Sequence, residues 1–376
     1  MPELTRVALV GIGGFGMVHR TNLARLADRV TLVAAVDVVA PEPGTLADTV
    51  QVFASLEELL AAVTVDVVII ATPTNTHAHL AETAMRAGAD VYLEKPTAAS
   101  LNQFDSLVQT QQETGRALQV GFQSLGSHAL GPLMDGSLVG EIQAVGATGA
   151  WVRPLRYWSR AAWAGRRTLG GDDVVDGVVT NPLAHAVATA LTIAGARDRS
   201  SVERIDLDLY RANDIEADDT SVVRITPQRG PIMTAALTLC AQETTDPVVT
   251  VHGELGSIRF HYTRDEVELV VDGVTLRRWT TGRTDLLPDL LRAREAVRAG
   301  EDAALVSSLA DASAFTAVLD AVRSAPAPHR IPADLVEWLG AGDERRPVIP
   351  RIEELVAEAA ATGSTFAELG TDWARR

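Results

Sequence analysis

The stretch that decides the fold lies at residues 7–16 and reads VALVGIGGFG. Its first four residues are apolar, which favours a short buried strand. A glycine cluster follows at once, and an amphipathic stretch from Phe15 to about Ala27 predicts a helix directly after it. This order of strand, glycine-rich turn and helix predicts a turn whose backbone N–H groups can hold an anion at the helix N-terminus.

The spacing of the glycines matches G-x-G-x-x-G, and each glycine has its own reason. Gly11 permits the tight turn, Gly13 lets the backbone approach a pyrophosphate, and Gly16 permits close packing of helix and strand. Asp37 ends the next predicted strand, where a carboxylate can bond both hydroxyls of an adenosine ribose. We therefore predict a dinucleotide site at Gly11, Ile12, Gly13, Gly14, Phe15, Gly16 and Asp37.

Strand and helix signals alternate through the first third of the chain. Predicted strands cover 7–10, 31–36, 66–71, 91–93 and 118–122, and predicted helices cover 15–27, 56–61, 76–87 and 101–113. Strands that are apolar throughout are buried on both faces, and helices between them make parallel crossovers. The pattern predicts an α/β fold that starts with a doubly wound parallel sheet of the Rossmann type.

After about Gln123 the alternation gives way to successive β-rich runs between 202 and 279, preceded by one strong helix at 181–194. Asp272-Gly273 is a strong hairpin signal between two of these runs. Consecutive hairpins predict a second α/β domain with an open, mostly antiparallel sheet. The predicted domains are residues 1–122, residues 123–325, and a C-terminal tail at 326–376 with a short helix at 352–361.

Composition and charge exclude several classes of protein. The chain has 376 residues, of which 47% are hydrophobic and 22% charged, and this is typical of a globular protein with two domains. A net charge of −16 disfavours binding to nucleic acid or to anionic membranes. The single cysteine, Cys240, excludes a disulfide framework and a cysteine-cluster metal site. Without a secretory-signal pattern or a spanning apolar run, we expect a cytoplasmic protein.

Two more loops follow predicted parallel strands, at the sheet edge where ligands bind in this architecture. In the first, Pro73 stiffens the chain and Asn75 offers both a donor and an acceptor. His77 and His79 lie two residues apart on a predicted helix and face different sides, so we expect no metal there. The candidate cofactor-binding residues of this loop are Thr72, Pro73, Asn75 and His77.

The second loop is Glu94-Lys95-Pro96, and Pro96 turns the chain because it cannot continue a strand ladder. A surface Glu–Lys pair is one interpretation. A lysine at the end of a buried strand is rare without a partner, and this favours a functional role for Lys95. We include Glu94 and Lys95 among the candidate cofactor-binding residues.

The sequences GIGGFG (11–16), ATPTNTHAH (71–79) and LEKP (93–96) together resemble the Gfo/Idh/MocA oxidoreductase family. The resemblance continues to about residue 325 through Gly121-Phe122-Gln123, Gly140-Glu141-Ile142 and the tryptophan-rich segment 151–166. It implies a Rossmann domain followed by an α/β domain with an open antiparallel sheet. It also implies a bound nicotinamide cofactor and a sugar, cyclitol or related polyol as substrate.

The resemblance also implies roles in the second domain. The family commonly has an acidic residue, or sometimes Asn, four residues before a His that faces the nicotinamide, and Asn181 and His185 have this spacing. Positions i and i+4 share a helix face, although Asn181 could also cap that helix. Because Asn cannot exchange a proton, catalysis would fall to Lys95 and His185, with Asp173 or Asp176 as possible substitutes. The candidate substrate-binding residues are Asn181, Arg153, Tyr157, Trp163 and Arg166.

These features predict an NAD(P)-dependent oxidoreductase that moves a hydride between a secondary alcohol of a sugar, cyclitol or related polyol and nicotinamide. We expect NAD to be preferred over NADP, because Asp37 would repel a 2′-phosphate. Strands such as 232–240 are apolar on both alternations, so we expect a homodimer or homotetramer built on the second sheet. Two alternatives stay open: a redox-neutral glycosidase that retains NAD, and a non-catalytic cofactor-binding regulator, which would need neither Lys95 nor His185.

Overall fold

The computed structural model describes residues 4–374, which form two compact units. The first unit runs to Gly121 and also includes Asp285–Leu309. The second comprises Phe122–Thr284 and the chain from Ala310 onward. No helix within residues 4–374 has both the length and the apolar character needed to cross a membrane.

The first unit is built on a six-stranded parallel sheet with the strand order β3-β2-β1-β4-β5-β6. Its strands are β1 (Thr5–Val10), β2 (Val30–Val36), β3 (Gln51–Phe53), β4 (Val67–Ile70), β5 (Asp90–Leu93) and β6 (Leu118–Val120), and its first helices are α1 (Gly16–Arg25), α2 (Leu56–Ala62), α3 (Thr74–Arg86) and α4 (Leu101–Thr114). Central strands β1, β4 and β5 are buried almost throughout. The predicted Rossmann fold is confirmed, with edge strand β3 as an addition that the sequence did not indicate.

The second unit begins with a long run of strands, as the sequence predicts. In chain order it contains α5 (Leu130–Met134), β7 (Ile142–Ala150), α6 (Leu155–Trp158), β8 (Thr168–Leu169), β9 (Asp172–Asp173), α7 (Ala184–Ile193), β10 (Val202–Arg211), β11 (Thr220–Pro227), β12 (Ile232–Thr238), β13 (Val248–Gly253), β14 (Gly256–His261), β15 (Glu266–Val271) and β16 (Val274–Thr280). The predicted hairpin at Asp272-Gly273 joins β15 to β16.

The next helix, α8 (Leu286–Arg298), belongs to the first unit and not to the second domain that the sequence predicts for residues 123–325. Its leucines, among them Leu286 and Leu290, are buried in the same core as Val7 and Tyr92. Its Arg294 is buried and forms ion pairs with Asp66 and Asp90. Asp66 directly precedes β4, and Asp90 is the first residue of β5. The segment returns to the first unit because its apolar face and its arginine find their partners there.

The rest of the chain completes the second unit with α9 (Ser313–Ser324), β17 (His329–Arg330), β18 (Glu337–Leu339), β19 (Arg346–Val348) and α10 (Ile352–Thr362). The large sheet has the order β16-β15-β14-β13-β7-β12-β11-β10-β17. Only the β7–β12 and β10–β17 pairs among these strands are parallel, so the prediction of an open, mostly antiparallel sheet is confirmed.

The C-terminal segment covers one face of this sheet. A side chain at Gly146 in β7 would come within 2.7 Å of the Ala360 carbonyl oxygen of α10, whereas one at Gly149 would meet the side chain of Leu183 before α7. Residues three apart on a strand face opposite sides, so α10 and α7 lie on opposite faces. Phe366 and Trp373 extend the cover, packing in one buried cluster with sheet residues from β10, β11 and β12.

This cover explains why β12 is apolar on both alternations. That pattern predicts a second sheet face that is buried between subunits. In the described residues this face is instead buried beneath the C-terminal segment of the same chain. The pattern therefore gives no support to a homodimer or homotetramer built on this part of the sheet.

Candidate functional site

The glycine turn between β1 and α1 has the geometry of an anion cradle. Gly11 has a φ of +86°, and a side chain there would overlap with the Ala71 carbonyl, while one at Gly16 would overlap with the Gly11 carbonyl. Nothing lies within 4 Å of where a Gly13 side chain would be. Within the described chain, the backbone N–H groups of residues 13–15 donate no hydrogen bond. The turn is therefore closely packed at Gly11 and Gly16 and open at Gly13. With free N–H groups at a helix N-terminus, this geometry fits a pyrophosphate.

Asp37 lies beside this turn, directly after β2. Its Oδ2 accepts a hydrogen bond from the backbone N–H of Ile12 at 2.8 Å, and its Oδ1 accepts one from Val39 at 3.1 Å. The carboxylate is therefore held in one orientation at the edge of the cradle. Val38 and Val39 beyond it are exposed apolar side chains, and they carry no positive charge.

The loop after β4 differs in detail from its prediction. Helix α3 begins at Thr74, two residues before its predicted start, with Pro73 as its N-cap, and Thr76 lies in the first turn and donates to the Pro73 carbonyl. Asn75 is half-buried, and its Oδ1 has no hydrogen-bond partner among the described residues. This oxygen is itself buried, and a buried acceptor without a donor is costly, so it is a candidate contact for a donor group at this sheet edge.

His77, unlike the other candidates of this loop, is buried between two loops of the first unit. It is buried, with Nδ1 at 2.6 Å from the Pro96 carbonyl and Nε2 at 2.8 Å from the Thr72 carbonyl. Burial lowers the pKa of His77, so the ring carries one proton and donates only one of these contacts. His77 links the loops after β4 and β5, and this position fits loop support better than direct contact with a cofactor.

Glu94 is buried and is not a surface residue. Its Oε1 accepts from Nε2 of His19 on α1 at 2.8 Å, and both side chains are less than a tenth exposed. Tyr92 contacts the same imidazole edge-on, and burial raises the pKa of its hydroxyl well above the ordinary value. Glu94 thus ties the helix of the glycine turn to the loop that carries Lys95, and His19 is a site residue that the sequence analysis missed.

Lys95 is half-buried and directly follows the buried end of β5. Its backbone N–H lies 3.4 Å from Oε2 of Glu94, and the peptide bond to Pro96 is cis. Strands β1, β4 and β5 are neighbours in the parallel sheet. The glycine turn, Asn75 and Lys95 therefore follow the carboxyl ends of three adjacent strands, the edge where such sheets bind ligands.

In the second unit, His185 lies in the first turn of α7 and is half-buried. Its Nδ1 is 3.5 Å from Oγ of Ser124, which accepts a hydrogen bond from Thr189 at 2.8 Å. The ring of Phe122 packs edge-on against the imidazole. The imidazole therefore has a defined orientation and lies partly open.

The prediction that Asn181 and His185 share one helix face is wrong, because α7 begins at Ala184 and its N-cap is Leu183. Asn181 lies in the preceding turn, three residues before the helix begins. Its amide Nδ2 donates to Oδ1 of Asp176 at 2.6 Å. Asp176 is buried and also accepts from the Gly165 N–H, and this acceptor decides where the Asn181 side chain points.

The turn before Asn181 is supported by a second buried carboxylate that the sequence did not reveal. Oδ2 of Asp218 accepts from Ser221 at 2.9 Å, and its carbonyl accepts from the Val178 N–H. A side chain at Gly177 would overlap with this carboxylate. Burial raises the pKa of Asp218 to about 6.

Aromatic and arginine side chains from residues 151–163 form a cluster next to Asp176. The Arg160 guanidinium pairs with Asp176 at 3.0 Å and lies over the rings of Tyr157 and Trp163, at 3.8 and 4.6 Å from their centroids. The Arg153 guanidinium also lies over the Tyr157 ring, 4.8 Å from its centroid. Burial raises the pKa of the Tyr157 hydroxyl. Arg153, Tyr157 and Trp163 are thus brought together, with Arg160 as a member that we had not predicted.

The two remaining candidates, Arg166 and Asp173, form ion pairs outside this cluster. Arg166 is exposed and bound to the Glu216 carboxylate at 2.6 Å, so it forms a surface ion pair. Asp173, considered as a substitute acid, pairs with Arg323. Asp176 is the upstream acid that does reach Asn181.

A histidine–glutamate cluster on β14 and β15 is the one group among the described residues whose ligand atoms lie close enough together for a metal ion. His261, Glu266 and Glu268 have ligand atoms within 4.8 Å of one another. Arg278 already binds both glutamates, at 3.3 and 2.5 Å. The arginine supplies the positive charge that a metal would bring.

The fold and the glycine turn define a dinucleotide-binding Rossmann domain. Residues 5–122 match the model of the family described as "Oxidoreductase family, NAD-binding Rossmann fold" (Gfo/Idh/MocA). The resemblance based on the glycine turn and the Glu94-Lys95-Pro96 loop is thereby confirmed for the first unit.

Curated relatives match over part of their length. The chain is 36% identical over 119 residues to 4-carboxy-2-hydroxymuconate-6-semialdehyde dehydrogenase of Sphingobium sp., covering 31% of this chain and 38% of that protein. It is 29% identical over 213 residues to inositol 2-dehydrogenase of Rhizobium meliloti, covering 52% and 64%. The matched part thus spans less than two thirds of either relative.

Solved structures extend the likeness of fold to both units. The WlbA dehydrogenase of Bordetella pertussis, whose crystals contain NADH and UDP-GlcNAcA, has a TM-score of 0.69 and 24% identity, covering 85% of this chain and 95% of that one. A levoglucosan dehydrogenase in complex with NADH has a TM-score of 0.68 and 18% identity, covering 85% and 96%. At this identity the likeness shows the architecture alone.

Proposed function

We propose that this protein is an NAD-dependent dehydrogenase that oxidises a secondary alcohol of a sugar, cyclitol or related polyol. The observation that carries the proposal is the first unit's sheet edge, where the open glycine turn, Asn75 and Lys95 follow three adjacent strands. The names of the curated relatives, which include several inositol dehydrogenases, support the same class of reaction.

The residues that would hold the cofactor are those of the glycine turn, with Asp37 at the ribose and Asn75 as a further polar contact. NAD, when bound, supplies a nicotinamide ring that accepts a hydride. Asp37 is fixed by two backbone N–H groups and cannot easily turn away. Its charge would repel a 2′-phosphate, and we propose a preference for NAD over NADP for this reason.

That preference is tested by comparing dissociation constants for NAD and NADP in the wild type and in Asp37→Ser. The wild type is expected to bind NAD more than tenfold more tightly, and the variant should lose most of this difference. Equal affinities in the wild type would show that the Asp37 carboxylate does not lie beside the 2′-position.

Removal of a hydride from a carbinol carbon requires that the hydroxyl proton be taken by a base. Lys95 and His185 are the two groups that we propose for this task. If Lys95 stays protonated, its ammonium polarises the hydroxyl while the His185 imidazole, whose ordinary pKa lies closer to neutral, takes the proton. If Lys95 is the base, His185 instead orients the substrate. Asn181, Arg153, Tyr157 and Trp163 are proposed to bind the polyol.

The experiment is a screen of neutral sugars, sugar acids and cyclitols for NADH formation by the purified chain with added NAD. Turnover that Lys95→Ala abolishes would support the proposal, and His185→Ala would keep substantial activity only if Lys95 is the base. Tight NAD binding without NADH formation from any of these compounds would contradict the proposal. Glycoside cleavage with retained cofactor and no net NADH would favour the redox-neutral alternative.

A further inference from the structure

The segment 151–167 carries five arginines in a chain whose net charge is −16. Four of them have their charge or their hydrogen bonds satisfied within the second unit. Arg156 pairs with Glu344, Arg160 with Asp176 and Arg166 with Glu216, and Arg167 donates to three backbone carbonyls between Val322 and Ala325. The fifth is Arg153.

Arg153 differs from the three ion-paired arginines because no carboxylate in the part of the chain described lies within ion-pair distance of it. Its Nη1 donates to the adjacent Val152 carbonyl at 3.0 Å, and its guanidinium lies 4.7 Å from the Trp151 ring centroid and 4.8 Å from that of Tyr157. Its Nε is buried and has no acceptor. A half-buried guanidinium without a counter-charge is costly unless an anion completes it.

The surroundings of Arg153 connect it to the proposed substrate-binding residues. Tyr157 lies against both Arg153 and Arg160, Arg160 pairs with Asp176, and Asp176 accepts from the amide of Asn181. All of these contacts lie within the second unit. Because Asp176 already neutralises Arg160, Arg153 is the cation of this cluster that is left to meet a negatively charged ligand. The two aromatic rings beside it suit the apolar face of a sugar.

We propose that the substrate is an anionic carbohydrate whose negatively charged oxygens bind Arg153. The group is a carboxylate, as in a uronic or aldonic acid, or a phosphate, as in a sugar phosphate or nucleotide sugar. A guanidinium presents paired N–H donors that match the two oxygens of either group. This inference rests on the proposed dehydrogenase function and narrows its substrate class.

The test compares matched compounds: glucose with glucuronate, gluconate and glucose 6-phosphate, and N-acetylglucosamine with its UDP derivative. Binding to the enzyme with NAD is measured by calorimetry, and turnover is measured as NADH formation. We expect an acidic compound to bind at least tenfold more tightly than its neutral parent. The compound that binds identifies whether a carboxylate or a phosphate is recognised.

Two variants assign the effect to Arg153. Arg153→Gln should weaken binding of the acidic compound by about 10- to 100-fold, the usual range for a lost charge-assisted hydrogen bond, and Arg153→Lys should recover part of it. NAD affinity should stay within about threefold in both variants, which shows that they fold. Arg156→Gln is the matched control, since its exposed guanidinium is held by Glu344.

The outcomes separate this inference from the proposed function. If neutral and acidic compounds bind equally, or if Arg153→Gln leaves the preference for acids intact, the inference is wrong while the dehydrogenase proposal stands. If acidic compounds bind through Arg153 but none reduces NAD, the substrate class holds and the proposed reaction is wrong. If neither kind binds, both proposals fail.

Discussion

Asp218→Asn is expected to change the way in which stability depends on pH. Burial raises the pKa of Asp218 from 3.8 to about 6. A carboxyl whose pKa is higher in the folded state holds its proton more tightly there. Its contribution to stability is therefore complete below about pH 4 and is lost as the pH rises through 6.

The size of the effect follows from the shift. A difference of 2.2 pKa units between the unfolded and folded states corresponds to about 3 kcal/mol over the whole titration. On going from pH 7.5 to pH 5.0 about 1 kcal/mol of this is realised, since at pH 5.0 Asp218 is mostly protonated in the folded state and ionised in the unfolded chain. Asparagine does not titrate, so the variant lacks this contribution.

The assay is urea unfolding of the wild type and Asp218→Asn at both pH values. The free energy of unfolding of the wild type minus that of the variant should increase by about 1 kcal/mol on going from pH 7.5 to pH 5.0. Glu216→Gln is the control, because Arg166 lowers the pKa of Glu216 and the corresponding difference should stay flat or fall slightly. A difference for Asp218→Asn that is constant within about 0.3 kcal/mol would refute the reasoning.

Three other substitutions test separate parts of the structure. Lys95→Ala should lower turnover by about 10²- to 10⁴-fold while the NAD dissociation constant, measured by fluorescence titration, stays within about threefold; turnover within tenfold of the wild type would remove this lysine from the mechanism. Arg294→Met should lower the free energy of unfolding by about 3 kcal/mol in urea titrations, because Asp90 stays buried without its arginine while Asp66 keeps Arg6 and Arg298, and a loss below about 1 kcal/mol would show that Asp90 is not left buried and unpaired. Gly146→Val should loosen α10, because the valine side chain would meet the Ala360 backbone. Proteolysis of the C-terminal segment should be faster in this variant than in the control Gly131→Ala, whose added side chain meets open space. Equal rates of proteolysis would contradict the packing of α10 against β7.

The first unit was predictable where its pattern is local. The glycine turn and the strands beside it depend on residues close together in sequence, so motif and hydrophobicity were sufficient. Edge strand β3 was missed because three residues, two of them exposed, carry no strand pattern. The pairing of Glu94 with His19 was missed because the two residues are 75 positions apart and neither sequence motif indicates that the other lies next to it.

The candidate site in the second unit shows the limit of spacing arguments. The interval from Asn181 to His185 indicates a shared face only if both residues are helical, and the buried acceptor Asp176 draws the Asn181 amide into the preceding turn. Likewise, periodicity predicts a helix after residue 280 but not the sheet on which it packs. That choice depends on Asp66 and Asp90, which lie more than 200 residues upstream of Arg294.

The return of α8 to the first unit has a consequence for how the chain is made. The sheet of the first unit is complete in sequence at β6, yet the helix that buries Tyr92 and neutralises Asp66 and Asp90 emerges only after the 163 residues of Phe122–Thr284. At ordinary rates of translation this takes roughly 10 to 30 s. During that interval the nascent parallel sheet exposes an apolar surface, and Asp90 lacks its arginine while Asp66 has only Arg6. The ribosome-bound chain is thus most prone to aggregation while its second unit is being synthesised.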